Sequence, residues 1–168
     1  MDAAIELKRL MLGPPCRTLA VAESMTGGRV QTRITEISGA SEFFLGGVTA
    51  YSLELKVKLL GVEREHATGV NCVSARIAGE MACGACRLFG ADFAVATTGY
   101  AEPAPVLGVT VPFAWLAVAR SSGGSAGVVH CERVECPGAA RGEAQTRVAD
   151  AALAALVAQL RGEAARGV

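Results

Sequence analysis

Neither sign of charge is in excess in this chain: sixteen lysines and arginines are matched by sixteen aspartates and glutamates. A protein that grips a nucleic-acid backbone needs surplus cations to displace counterions, so that class of partner is set aside. Histidine is scarce, at two residues. His66 falls in a polar stretch and His130 in a run that alternates along a strand, so both read as surface residues rather than as members of a triad. Aromatic side chains make up only 5% of the chain, and Ala, Val and Gly are prominent. Small side chains of this kind suit close packing of helices on a sheet. No apolar run reaches the length of a membrane span. The start, Met1-Asp2-Ala3-Ala4-Ile5-Glu6, is acidic and amphipathic, unlike a signal peptide, so the expected compartment is the cytoplasm.

Six cysteines are present: Cys16, Cys72, Cys83, Cys86, Cys131 and Cys136. In the cytoplasm they are expected to be reduced. Cys83-Gly84-Ala85-Cys86 has the C-x-x-C form, but it sits inside the helical pattern that runs from Ser74 to Phe89. A redox motif of the thioredoxin type opens a helix after a strand, and the usual second half of a zinc site is missing. Cys131 and Cys136 fall on a predicted strand. The cysteines are therefore read as small packing residues that hold no metal.

At 168 residues the chain is read as one domain, 1–168, with its core at about 7–160. The pattern predicts a helix over 3–12 that stops at Gly13-Pro14-Pro15, a strand over 17–23, a helix over 26–37 and a strand over 46–51. A short helix follows over 52–60, then an irregular stretch from His66 to Asn71 and a long helix capped by Ser74. A buried strand covers Asp92 to Thr98, and residues 100–108 form a loop. Val109 to Arg120 and Ala126 to Cys136 form a hairpin, 139–160 a final helix, and the tail after Arg161 is frayed. Alternating strands and helices followed by a hairpin predict an α/β fold, a three-layer α/β/α sandwich with a mixed sheet.

Chemistry concentrates at Ala22-Glu23-Ser24-Met25-Thr26-Gly27-Gly28. Here a serine stands where a strand ends and a helix begins. Glycines let a ligand approach the backbone, and free N–H groups at a helix start can hold an anion or a developing oxyanion. Two readings fit: Ser24 is a nucleophile, or Ser24 or Thr26 caps the helix. Ser24, Tyr51 and Thr98-Gly99 all fall at predicted strand ends, where open α/β sheets bind ligands. A serine nucleophile needs a base, and a lysine serves if burial lowers its pKa.

Further segments complete a pattern. They are Phe44-Leu45-Gly46-Gly47-Val48-Thr49-Ala50-Tyr51-Ser52-Leu53-Glu54-Leu55-Lys56, then Val73-Ser74, Ala94-Val95-Ala96-Thr97-Thr98-Gly99, Gly108-Val109-Thr110-Val111, and Pro137-Gly138 leading to Arg141. In order and spacing, from about Leu7 to Leu160, they resemble the CinA C-terminal domain family. Its active members are nicotinamide-nucleotide amidases, which convert nicotinamide mononucleotide to nicotinic acid mononucleotide and ammonia. The resemblance implies Ser24 as nucleophile, Lys56 as its base in place of a solvated helix lysine, and Tyr51 as proton relay or substrate contact in place of a core-edge tyrosine. It implies a small-molecule nucleotide substrate and no cofactor, with self-association left open. The phosphate would meet backbone donors near Thr26, Gly27 and Gly28 or near Thr98 and Gly99, and a forked contact from Arg141, with Arg147 as the substitute. Glu23 has three readings: it orients a lysine, binds a ribose hydroxyl, or meets backbone donors.

The chain departs from the family pattern in places. Met25 stands where the family commonly has Cys. The loop after Gly99 reads Tyr100-Ala101-Glu102-Pro103-Ala104-Pro105-Val106 in place of a glycine-rich run. The Pro-Gly-Asp-Arg-like segment has become Pro137-Gly138-Ala139-Ala140-Arg141. Two rivals to the nucleotide amidase follow: a non-catalytic member that binds a nucleotide or a partner, and a serine amidase for another small amide.

Overall fold

The computed structural model describes residues 3–166. Met1 and Asp2, the first two residues of the acidic start, lie outside them. Five strands form one sheet: β1 (Leu19–Glu23), β2 (Phe44–Thr49), β3 (Phe93–Tyr100), β4 (Phe113–Ser122) and β5 (Ser125–Glu135). Their spatial order is β2-β1-β3-β4-β5. The first three run parallel, and β4 and β5 turn back antiparallel. Six α-helices accompany them: α1 (Ala3–Leu12), α2 (Arg29–Thr35), α3 (Leu53–Leu60), α4 (Arg64–Gly69), α5 (Ala75–Phe89) and α6 (Arg141–Arg166). The mixed sheet with helices on both faces is the sandwich expected. No helix among the described residues is long and apolar enough to cross a membrane.

Strand periodicity explains how the layers differ. Leu19, Val21, Phe93, Val95, Leu116 and Val118 point to one face and pack with α1, α2 and α6. The intervening Ala20, Ala22, Ala94, Ala96, Ala117 and Ala119 point to the other, towards α3 and α5. The alanine face brings α5 close, and small residues on α5 continue the effect. A Cβ on Gly84 would sit 2.1 Å from the Leu60 carbonyl oxygen of α3, so the backbones touch there. We expect Gly84→Ala to lower stability by about 2 kcal/mol in urea unfolding. The helix-propensity gain of about 1 kcal/mol is outweighed by overpacking against backbone that cannot rotate away.

Several boundaries differ from expectation, each for a local reason. Helix α2 begins at Arg29, not 26, because Gly27 and Gly28 take positive φ (61° and 97°) and turn the chain first. The stretch expected to be irregular around His66 is α4, a helix of six residues with one buried side chain, Ala67, too short to show a period. Glu63 caps it by accepting from the Glu65 and His66 N–H groups, both at 2.8 Å. Strand β4 starts at Phe113 rather than 109, and Val109 instead bridges to Ala104 within the loop. The hairpin turns on Gly123 and Gly124, both at positive φ (60° and 83°), as a two-residue turn demands.

The tail expected to fray is helical to Arg166. Its last turns are held by Glu163, a buried carboxylate 3.3 Å from Arg17 and 3.2 Å from Arg120. Cys83 and Cys86 lie on α5. Burial pushes the Cys83 thiol up and that of Cys86 up to about 12, which disfavours the thiolate that a metal would need. Cys131 lies on β5, and Cys136 just beyond its end.

Candidate active site

Ser24 follows β1 directly, and its N–H donates to the Thr97 carbonyl at 3.0 Å, extending the β1–β3 ladder by one bond. The strand thus hands the serine to the carboxyl end of the sheet with its backbone already fixed. Lys56 reaches the same point from α3. That helix starts where the Ser52 hydroxyl accepts from the Leu55 N–H. Its register turns Lys56 inward, and the residue is 1% exposed.

The Lys56 Nζ lies 2.9 Å from the Ser24 Oγ, 2.9 Å from the Ala50 carbonyl oxygen and 3.1 Å from that of Tyr51. Among the described residues it is in no ion pair. Burial pushes its pKa below the ordinary lysine value, while the nearby Cys72 thiol acts in the opposite sense. An ammonium here donates all three hydrogens. A neutral amine donates two to the carbonyls and keeps its lone pair for the serine hydroxyl. The two carbonyls therefore orient the amine in either state.

Glu23, beside the serine, is fully buried and faces away from the lysine. Its carboxylate accepts from the N–H groups of Gly28 (3.0 Å), Val30 (3.1 Å) and Gln31 (3.0 Å). It also accepts from the Thr26 hydroxyl at 2.6 Å and the Gln31 side-chain amide at 3.1 Å. Of its three sequence readings, the geometry is that of the backbone acceptor: Glu23 caps α2 from the preceding strand.

The same bonds revise the expected roles of its neighbours. The N-terminus of α2 serves this internal carboxylate, so its donors are taken. Thr26 is buried, its hydroxyl shared between Glu23 and the Thr97 hydroxyl at 2.7 Å. Gly27 and Gly28 shape the turn, and the Gly27 N–H donates to the Ser24 carbonyl at 3.1 Å. What remains in the turn are the N–H groups of Met25 and Thr26, which meet no acceptor among the described residues.

A cleft of about 290 Å³ opens onto the pair. Tyr51 and Leu53 wall one side, Asn71 to Val73 a second, and Thr98 to Tyr100 a third. The Thr98 hydroxyl donates to the Cys72 carbonyl at 2.7 Å and so ties two walls together. Gly99 stands where β3 meets β4 without space for a side chain, since a Cβ would lie 2.3 Å from the Phe113 carbonyl oxygen. The Tyr51 hydroxyl bonds neither Ser24 nor Lys56; it accepts from Arg141 Nη2 at 3.1 Å. Arg141, the first residue of α6, also donates through Nη1 to Glu102 at 2.7 Å. Arg147 pairs with Glu143 a turn away.

The structure therefore gathers Ser24, Lys56, Tyr51, Thr98 and Gly99 at one cleft, and sets Glu23, Thr26, Gly27 and Gly28 behind the serine as its support. Sequence reasoning missed Thr97, which bonds both Ser24 and Thr26, and Gln145, whose amide donates to the Met25 carbonyl at 2.9 Å. It also missed Asn71 and Cys72, both at positive φ (50° and 61°) in the cleft wall. Asn tolerates that conformation, a weak signal; a glutamine on a helix face gives none.

Comparison with known proteins shows the family and the fold. The model of the CinA C-terminal domain matches residues 9–160. A CinA-like protein of Chlorobium limicola is 45% identical over 93 residues, 55% of this chain and 22% of that protein. A CinA-like protein of Synechococcus is 46% identical over 101 residues, 60% of this chain and 23% of that protein. The matched segments span little more than a fifth of these curated relatives. The crystal structure of competence damage-inducible protein A from Klebsiella pneumoniae superposes with a TM-score of 0.82 at 27% identity, covering 95% of this chain and 96% of that one. That of the competence/damage inducible protein CihA from Agrobacterium tumefaciens gives 0.77 at 29% identity, covering 96% of each. With the family model matched over nearly its whole length and the fold shared from end to end, this chain belongs to the CinA C-terminal domain family.

Proposed function

We propose that the protein is an amidohydrolase that cleaves the C–N bond of a small carboxamide through a serine nucleophile and a lysine base. Nicotinamide mononucleotide is the substrate to which the family resemblance points. The observation that carries the reading is Lys56 Nζ at 2.9 Å from Ser24 Oγ, buried and, among the described residues, without a carboxylate partner. A capping serine accepts from a backbone N–H of the helix it starts, whereas the Ser24 hydroxyl meets this amine instead.

In this reaction neutral Lys56 takes the Ser24 proton as Oγ attacks the carboxamide carbon. The free N–H of Met25, which lines the cleft beside Ser24, stabilises the oxyanion. Lys56 then returns its proton to the leaving nitrogen, and ammonia departs. Water, activated by the same amine, hydrolyses the acyl-enzyme to the carboxylic acid and restores Ser24. Every step uses side chains, backbone donors and water.

Ammonia release by the purified protein, assayed with nicotinamide mononucleotide and related amides, tests the reading. The pH profile adds a signature. The base works only as the neutral amine, and burial lowers its pKa, so kcat should rise with pH through an inflection below the ordinary lysine value of 10.5 and level off above it. Lys56→Met should remove the rising limb along with the rate. A folded protein that releases ammonia from none of these amides would instead be a binding member of the family.

A further inference from the structure

We propose that Glu102 sets the substrate class of this cleft: its carboxylate occupies Arg141, so the site prefers a carboxamide whose far end carries no phosphate. The inference rests on the amidase reading for the bond that is cleaved, and on separate observations for the far end. Arg141 reaches the cleft through the Tyr51 hydroxyl, and Tyr51 forms a cleft wall. A guanidinium there is suited to hold an anionic group by paired N–H donors. In this chain the anion is already supplied from within, by Glu102 at 2.7 Å from Nη1.

Glu102 is placed by the loop that replaces the family's glycine-rich run. Two residues earlier Tyr100 walls the cleft, its hydroxyl accepting from the Asn71 amide at 3.0 Å and its ring packed 5.6 Å from that of Phe113. Arg141 and Glu102 thus form a pair just outside the cleft lining, joined to its Tyr51 wall by the Arg141–Tyr51 bond. The charges of that pair cancel, and Lys56, the one cation among the described residues that lines the cleft itself, is buried and shifted towards neutrality. An incoming phosphate would have to displace a carboxylate and remain beside it. A neutral far end meets hydroxyls and a satisfied ion pair. The Glu102 and Arg141 side chains are 61% and 48% exposed. A pair so exposed contributes little to stability, so its effect falls on what Arg141 can bind.

Nicotinamide mononucleotide and nicotinamide riboside share one carboxamide and differ by a phosphate, which makes them the matched probes. Binding is measured by calorimetry on Ser24→Ala, where turnover is stopped, with and without Glu102→Gln. Ammonia release is measured in parallel on the wild type and on Glu102→Gln alone. Ser24→Ala should bind the riboside more tightly than the mononucleotide. Glu102→Gln should tighten mononucleotide binding about tenfold, the scale of one charge interaction, and leave the riboside within about twofold. Adding Arg141→Gln should cancel the gain, which a merely structural role for Glu102 would not predict. The proposal is overturned if Glu102→Gln shifts both ligands alike, if it shifts neither, or if neither binds. It stands, and the amidase reading falls, if the shift in binding is seen while no variant releases ammonia.

Discussion

Ser24→Ala should leave a folded protein whose ammonia release has fallen by at least about a thousandfold, since a nucleophile cannot be replaced by its neighbours. The fold should scarcely notice. The serine is held by its backbone, through the N–H bond to Thr97. Its hydroxyl contributes one hydrogen bond to a lysine that keeps two carbonyl acceptors. Loss of that bond is worth about 1 kcal/mol. Thermal unfolding of the variant beside its amidase rate separates the two effects. A rate within about tenfold of wild type would remove Ser24 from the chemistry.

The second large effect is on stability, and it lies one residue away. Glu23→Ala should destabilise the protein by about 4 kcal/mol, at the upper end for a single substitution. The carboxylate receives three backbone N–H groups, a hydroxyl and an amide. Removing it orphans the start of α2 in a site that water cannot readily reach, at about 1–3 kcal/mol for each unsatisfied buried group. Glu23→Gln, which keeps one carbonyl oxygen as acceptor, should lose less, about 2 kcal/mol, and remain measurable if the alanine variant does not fold. Urea unfolding midpoints for the two decide the matter. If Glu23→Gln unfolds like wild type but loses substrate affinity, the residue is a ligand contact and not a cap.

The residues explain why some of this was legible in the chain and some was not. Short continuous apolar runs, at Leu19 to Ala22 and Phe93 to Ala96, mark buried strands, and the Gly123-Gly124 turn marks the hairpin. The fold followed from these. The meeting of Ser24 with Lys56 did not, because helical spacing can put Lys56 on the inner side of α3 with Leu60 but does not say which strand end that side meets; the pairing came from family resemblance. Glu23 could not be assigned because three of its partners, the N–H groups of Gly28, Val30 and Gln31, are backbone groups that any sequence supplies. The link from Glu102 to Arg141 spans 39 positions and joins two exposed side chains, so nothing local announces it.

The alanine face of the sheet has a consequence for the reach of the base. Lys56 and Leu60 stand four residues apart on α3, one turn of helix, and so share a side. The carbonyl of Leu60 rests against Gly84, where no side chain intervenes. How deep α3 sits is therefore set by the missing methyl group of a residue that never touches the cleft. A lysine stem has a fixed length, and bulk added at position 84 would act as a wedge under its helix. The amine would be drawn back from the serine by the thickness of the wedge, so the reach of the base is governed in part by the neighbouring helix, which contributes nothing to the cleft's own chemistry.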